Sequence, residues 1–249
     1  MATGDVLEAA FWALLGGSAL LIGALVAVLV TLSERVIGML LGFAAGVLIS
    51  TVSADLATEA IDEGGPITLA VGLAAGSVVF FVGAWLIDRA GGGDRLCTTV
   101  EREDRKASTI VFGSVLDGVP EALAIGISLL AGGMVGLPLV AAVFLSNLPE
   151  SMAATTSMRK AKHSIAYVFG SWAVVVLTSS VASAAGYVVV GAAFPEAIGL
   201  IHAFTAGAVL TMVAHTVLPE AFDHGGRATS LFTTLGFAGA FILSAVSMG

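Results

Sequence analysis

The 249-residue chain is poor in charge, with Asp, Glu, Lys and Arg together making up 11% of it. Soluble globular domains carry about 25%, so an ordinary cytosolic enzyme is excluded. One cysteine, Cys97, permits neither an intrachain disulfide nor a zinc-finger-type site. Ten Lys and Arg stand against 18 Asp and Glu, a formal charge of −8. The basic footprint that nucleic acid demands is therefore missing. Alternating apolar and polar residues, the mark of barrel strands, are also lacking, because the apolar runs are continuous.

What the chain has in abundance is apolar: 57% hydrophobic residues, 31 glycines and a mean hydropathy of +1.02. Glycine-rich and apolar without low complexity describes helices packing closely in lipid. This composition predicts an all-α integral membrane protein of one domain, residues 1–249, multi-pass in the cell membrane with the lipid bilayer as its partner. A crossing helix needs about 20 mostly apolar residues. Eight such runs occur, at roughly 6–32, 36–60, 67–88, 108–131, 137–158, 164–193, 197–222 and 228–248. The first is too long for a cleavable signal and is flanked by Asp5 and Glu8 rather than by cations.

If the eight spans alternate, all ten basic residues fall on one side. Arg35 follows span one; Arg89, Arg95, Arg102, Arg105 and Lys106 follow span three; Arg159, Lys160 and Lys162 follow span five; Arg227 follows span seven. The positive-inside rule makes that side cytoplasmic and both termini extracytoplasmic, with a cytoplasmic loop at about 89–107. The opposite face carries Asp5, Glu8, Asp62, Glu63 and Glu196 without Lys or Arg, a mouth that would concentrate cations.

A stretch beginning at Phe43 and ending at Asp62 recurs 161 residues later, between Phe204 and Asp223. The alignment matches Phe43 with Phe204, Gly46 with Gly207, Glu59 with Glu220 and Asp62 with Asp223. Span two runs outward and span seven inward in this topology, so the repeat is inverted, as in secondary transporters that bind substrate near the midplane. Spans four and five form a second pair: Val119-Pro120-Glu121 and Leu148-Pro149-Glu150 both fall at mid-span.

Six acids lie inside spans: Asp55, Glu59, Asp117, Glu121, Glu150 and Glu220. One acid at a helix centre costs roughly 2.5–3.5 kcal/mol on insertion scales. No Lys or Arg is available within any span, so protonation, water or a bound cation must neutralise them. Asp117 and Glu121 are spaced i, i+4, and Asn147 and Glu150 i, i+3, so each pair shares a helix face. Brought together, they make an oxygen-rich cage suited to a hard divalent cation. Pro120 and Pro149 free the carbonyls of Leu116 and Leu145 as further oxygens. His215 and Glu220, in H-T-V-L-P-E, are placed to handle metal or protons near the cytoplasmic exit, and Asp55 and Glu59 to guide ions in from outside. His202 is a weaker ligand candidate; Gly42-x-x-x-Gly46 and Gly72-x-x-x-Gly76 read as helix contacts.

These motifs resemble the Zrt/Irt-like (ZIP) family of divalent metal transporters over nearly the whole chain. Span four of that family typically reads H-N-x-P-E-G; here it is D-G-V-P-E-A, so Asp117 stands in for a metal-binding histidine and Glu121 is retained. In span five, Ser146 takes a His or Gln position, Asn147 an acid or amide ligand position and Glu150 a His or Glu one. In span seven, His215 and Glu220 match H-E-x-x-P-E, with Thr216 replacing the acid. Span six lacks the acid that often completes a second metal site. The resemblance implies a single, oxygen-rich site, Asp117, Glu121, Asn147 and Glu150, that carries zinc or another transition metal such as Mn, Fe, Co or Cd toward the cytoplasm. Two alternatives stand beside it: a proton-coupled carrier of a small organic solute, and a metal-binding relic of the same scaffold that does not transport. No enzyme is expected, since H-E-x-x-H is absent and Cys97 and the Gly126–Ser128 run lack a base. Apolar outer surfaces are compatible with a homodimer.

Overall fold

The computed structural model describes residues 3–87, 89, 107–132, 136–192 and 197–247. The expected loop at about 89–107 therefore lies, apart from Arg89 and Ala107, outside the described residues. Among the described residues the regular structure is entirely helical: α1 (Thr3–Leu29), α2 (Glu34–Thr51), α3 (Ala57–Ile87), α4 (Ala107–Gly132), α5 (Leu137–Lys160), α6 (Ile165–Ala192), α7 (Ala197–Met212), α8 (Leu218–Gly225) and α9 (Thr229–Ser247). Two π-helical segments are inserted, Val52–Leu56 between α2 and α3 and Val213–Val217 between α7 and α8. They begin 161 residues apart, the offset of the sequence repeat.

Local chemistry accounts for the helix ends. Ser33 caps α2, its hydroxyl accepting from the Val36 amide at 3.4 Å, and Glu34 follows in the first turn, where a carboxylate suits the positive end of the helix dipole. Pro138 sits in the first turn of α5, where its missing N–H costs nothing, and Arg159 and Lys160 close the last turn.

Among the described residues, six continuous helical stretches are long and apolar enough to cross a membrane: Gly4–Leu29, Glu34–Ile87, Val111–Leu130, Leu137–Lys160, Ile165–Gly191 and Ala197–Ser247. Two of them, at 54 and 51 residues, would extend about 75–80 Å if straight, against a hydrocarbon core of about 30 Å. Each is broken once. Gly65 has φ 78° and ψ 175° inside α3, directly before Pro66. Gly226 has φ 61° and ψ −148° before a single 3-10 turn leads into α9. A positive φ is strained for any side chain with a Cβ, and glycine occupies both positions.

Four helix pairings run side by side, α1 with α5, α2 with α9, α3 with α7 and α4 with α6, and α1 also packs along α6. Glycine sets their separation. A Cβ on Gly46 would overlap the Thr233 carbonyl, and one on Gly207 would overlap that of Leu73. Gly76 abuts the Phe204 carbonyl and Gly236 that of Phe43 in the same way. Phe43 and Gly46 are the residues the sequence repeat matches to Phe204 and Gly207, so the two halves reuse one contact in reciprocal form. The register also runs parallel within each pair: positions 42 and 46 meet 229 and 233, while 72 and 76 meet 203 and 204.

Large apolar side chains cover the outside, including Leu29 at 73%, Ile67 at 78% and Val246 at 74% exposure. A soluble monomer does not present so much contiguous apolar surface; a multi-pass membrane protein does. Charged and polar side chains tie helices together at both ends. Lys160 ends α5 and pairs with Glu34 of α2 at 2.8 Å, and His224 of α8 lies 3.9 Å from the same carboxylate. At the opposite end, Tyr187 of α6 donates to Asp5 of α1 at 2.9 Å.

Candidate cation site

α4 and α5 both continue through their prolines, Pro120 and Pro149, which are buried. Each proline is followed by the glutamate that the sequence singled out. Asp117, Glu121, Asn147 and Glu150 all line one cavity of about 20 Å³, with α1 and α6 supplying its other walls. Glu121 and Asn147 are buried, while Asp117 and Glu150 are partly so. One water needs roughly 10–15 Å³ of such space, so the cavity takes one water or one stripped ion.

The charge here is of one sign. Asp117 acts electrostatically on Glu121, and Glu150 feels Glu121, Asp117 and Glu220. The Oε1 atom of Glu150 is buried without a hydrogen-bond partner. Buried polar atoms nearly always have one, and an exception marks a place for water or an ion. Among the described residues, no three of His, Cys, Asp and Glu are grouped tightly enough to hold a metal ion as they stand. The carboxylates border the space without converging on a point within it.

Three polar residues of the lining escape sequence reasoning: Ser114 on α4, and Trp172 and Ser179 on α6. Trp172 donates from its indole to Thr155 of α5 at 2.8 Å, both side chains being buried, which holds α6 against the back of the site. A span without acids offers no signal for such a role beyond the run of hydroxyls around Ser179.

None of Asp55, Glu59, His215 and Glu220 lines the cavity. Glu220 is buried and close enough to act on Glu150. His215 is exposed and lies edge-on to Phe81, with ring centroids 6.4 Å apart. Asp55 and Glu59, expected to guide ions in from outside, reach different helices. Asp55 accepts a 2.6 Å hydrogen bond from Ser244 of α9, whereas Glu59 lies 3.2 Å from the Nδ1 of His202 on α7. Asp55 lies in the π-helical segment and Glu59 in the first turn of α3, and the two carboxylates still act on each other electrostatically.

Comparison of the chain with family models and with curated proteins gives no match in either case.

Proposed function

We propose that this protein is a divalent metal ion transporter, similar to the Zrt/Irt-like family, moving zinc or another transition metal toward the cytoplasm through the cavity between α4 and α5. The observation that carries the reading is that Asp117, Glu121, Asn147 and Glu150, from two proline-bearing helices, all border one ion-sized space. Oxygen donors of net negative charge suit a divalent cation, and side chains that border the space without closing leave room for water in the ion's shell. Loose coordination of that kind permits release, which transport requires.

The architecture we infer has eight crossings. The breaks at Gly65 and Gly226 divide the two overlong stretches, and the parallel register of the four helix pairs agrees with alternating spans. With both termini extracytoplasmic, the parallel pairs α2–α9 and α3–α7 exchange under an inverted repeat, and α4 and α5 exchange likewise. The matched π-helical segments and the reciprocal glycine contacts support that symmetry. Such repeats place substrate at the midplane and permit rocking of one bundle against another.

Uptake of Zn, Mn, Fe, Co and Cd into proteoliposomes tests the reading, with Glu121→Ala and Glu150→Ala as variants. Loss of flux in both is expected; undiminished flux in both sinks the site. A carrier of organic solutes is disfavoured by a space of about 20 Å³. The relic reading draws on the unconverged carboxylates, and saturable metal binding without flux would identify it.

A further inference from the structure

His202 is wholly buried, at 0% exposure, and neither of its ring nitrogens has a hydrogen-bond partner. Its Nδ1 lies 3.2 Å from Oε2 of Glu59, an atom that likewise makes no hydrogen bond. The two groups are thus within reach of each other but not aligned to share a proton. Their separation has another meaning. Two donors on one first-row divalent ion, each at about 2.0–2.2 Å with bond angles of about 90–110°, stand about 3.0–3.5 Å apart. The His202–Glu59 spacing falls in that interval.

The surroundings fit the same ligand. Thr205, one turn along α7 from His202, has a fully buried hydroxyl oxygen without a partner. Asp55, Asp62 and Glu63 each act electrostatically on Glu59, and together they raise the local concentration of cations. The Glu59 side chain is 39% exposed, while its Oε2 and His202 are buried, so an ion would meet the exposed part of the carboxylate first and lose part of its water shell on moving in to Oε2 and the imidazole. Neither residue borders the cavity between α4 and α5.

We infer that Glu59 and His202 form a second divalent-cation site, separate from the central cavity, in which imidazole nitrogen and carboxylate oxygen hold a transition metal ion and water completes its shell. A nitrogen donor favours Zn²⁺ or Co²⁺ over Mg²⁺ or Ca²⁺, which the oxygens of the central site do not do. In the topology proposed above the site faces the extracytoplasmic side, ahead of the central cavity. That placement rests on the transporter reading; the binding itself does not.

The test uses Co²⁺ on the full chain purified in detergent, reading stoichiometry by equilibrium dialysis and the ligand shell by X-ray absorption. One bound Co²⁺ with an imidazole in its shell is expected in the unaltered protein. Its affinity should fall at least tenfold in His202→Ala and in Glu59→Gln, and persist in Glu121→Gln/Glu150→Gln. An imidazole-free shell, or an imidazole-bearing Co²⁺ unchanged in both site variants, overturns the proposal. If His202→Ala does not fold, Glu59→Gln alone decides, since it preserves shape at a partly exposed position. Uptake that fails while this Co²⁺ still binds would remove the transporter reading and leave the site standing; intact uptake with no such Co²⁺ does the reverse.

Discussion

Ser244, near the end of α9, donates a 2.6 Å hydrogen bond to Asp55 in the π-helical segment that follows α2. Ser244 is 2% exposed, so the bond ties two helices together in a poorly solvated place. Ser244→Ala removes the donor and leaves the carboxylate, a loss of about 1.5–3 kcal/mol for a bond to a charged group. Thermal unfolding in detergent should register the drop. Asp55→Asn keeps an acceptor and should cost less; equal costs would mean that the bond contributes nothing specific.

Close helix approach gives a sharper contrast. A methyl group on Gly76 would collide with the Phe204 carbonyl, whereas one on Gly239 meets open space. Gly76→Ala is expected to lower stability by about 1–3 kcal/mol through overpacking. Gly239→Ala should leave the unfolding temperature unchanged or slightly raised. Similar behaviour of the two would contradict the close pairing of α3 with α7.

The size of the central cavity can be probed from its wall. Gly118 lines it, and a Cβ there would stand 3.0 Å from the Ser179 hydroxyl. Gly118→Ala narrows a space already near the limit for one ion. Metal uptake and central-site affinity should fall about tenfold, roughly 1.4 kcal/mol, with stability little changed. Unaltered uptake would show that the ion passes elsewhere.

Sidedness is open to labelling with a membrane-impermeant thiol reagent. Cys97 is the single native cysteine. In the eight-span topology it reacts only from the cytoplasmic side. In a Cys97→Ser background, Asp62→Cys should react only from the other side. Labelling of both from one side would remove a crossing from between them and with it the inverted repeat.

Much of the fold was legible because the bilayer imposes simple requirements on a chain. Long apolar runs announce helices, and the gap between the runs 36–60 and 67–88 is where the structure breaks at Gly65. The proline–glutamate elements were legible for a related reason: an acid in a membrane span is costly, so each one stands out. Helical spacing puts Asp117 with Glu121 and Asn147 with Glu150, and α4 and α5 keep an uninterrupted α-helical register through this region, so that all four line one cavity. What Asp55 and Glu59 would touch was not legible: one is bonded to Ser244 of α9 and the other lies beside His202 of α7.

The sequence by itself determined that this protein is helical and built for a membrane, and where its expensive acids lie. Both follow from the free energy of single residues in lipid, which depends on side-chain type alone. Tertiary structure decided which of those acids meet. It gave the central cavity its wall of Trp172 and Ser179, turned His215 outward against Phe81, and set Glu59 beside His202. Those outcomes depend on how helices far apart in the chain approach one another, which is set by contacts such as the glycine approaches that act between segments rather than within them.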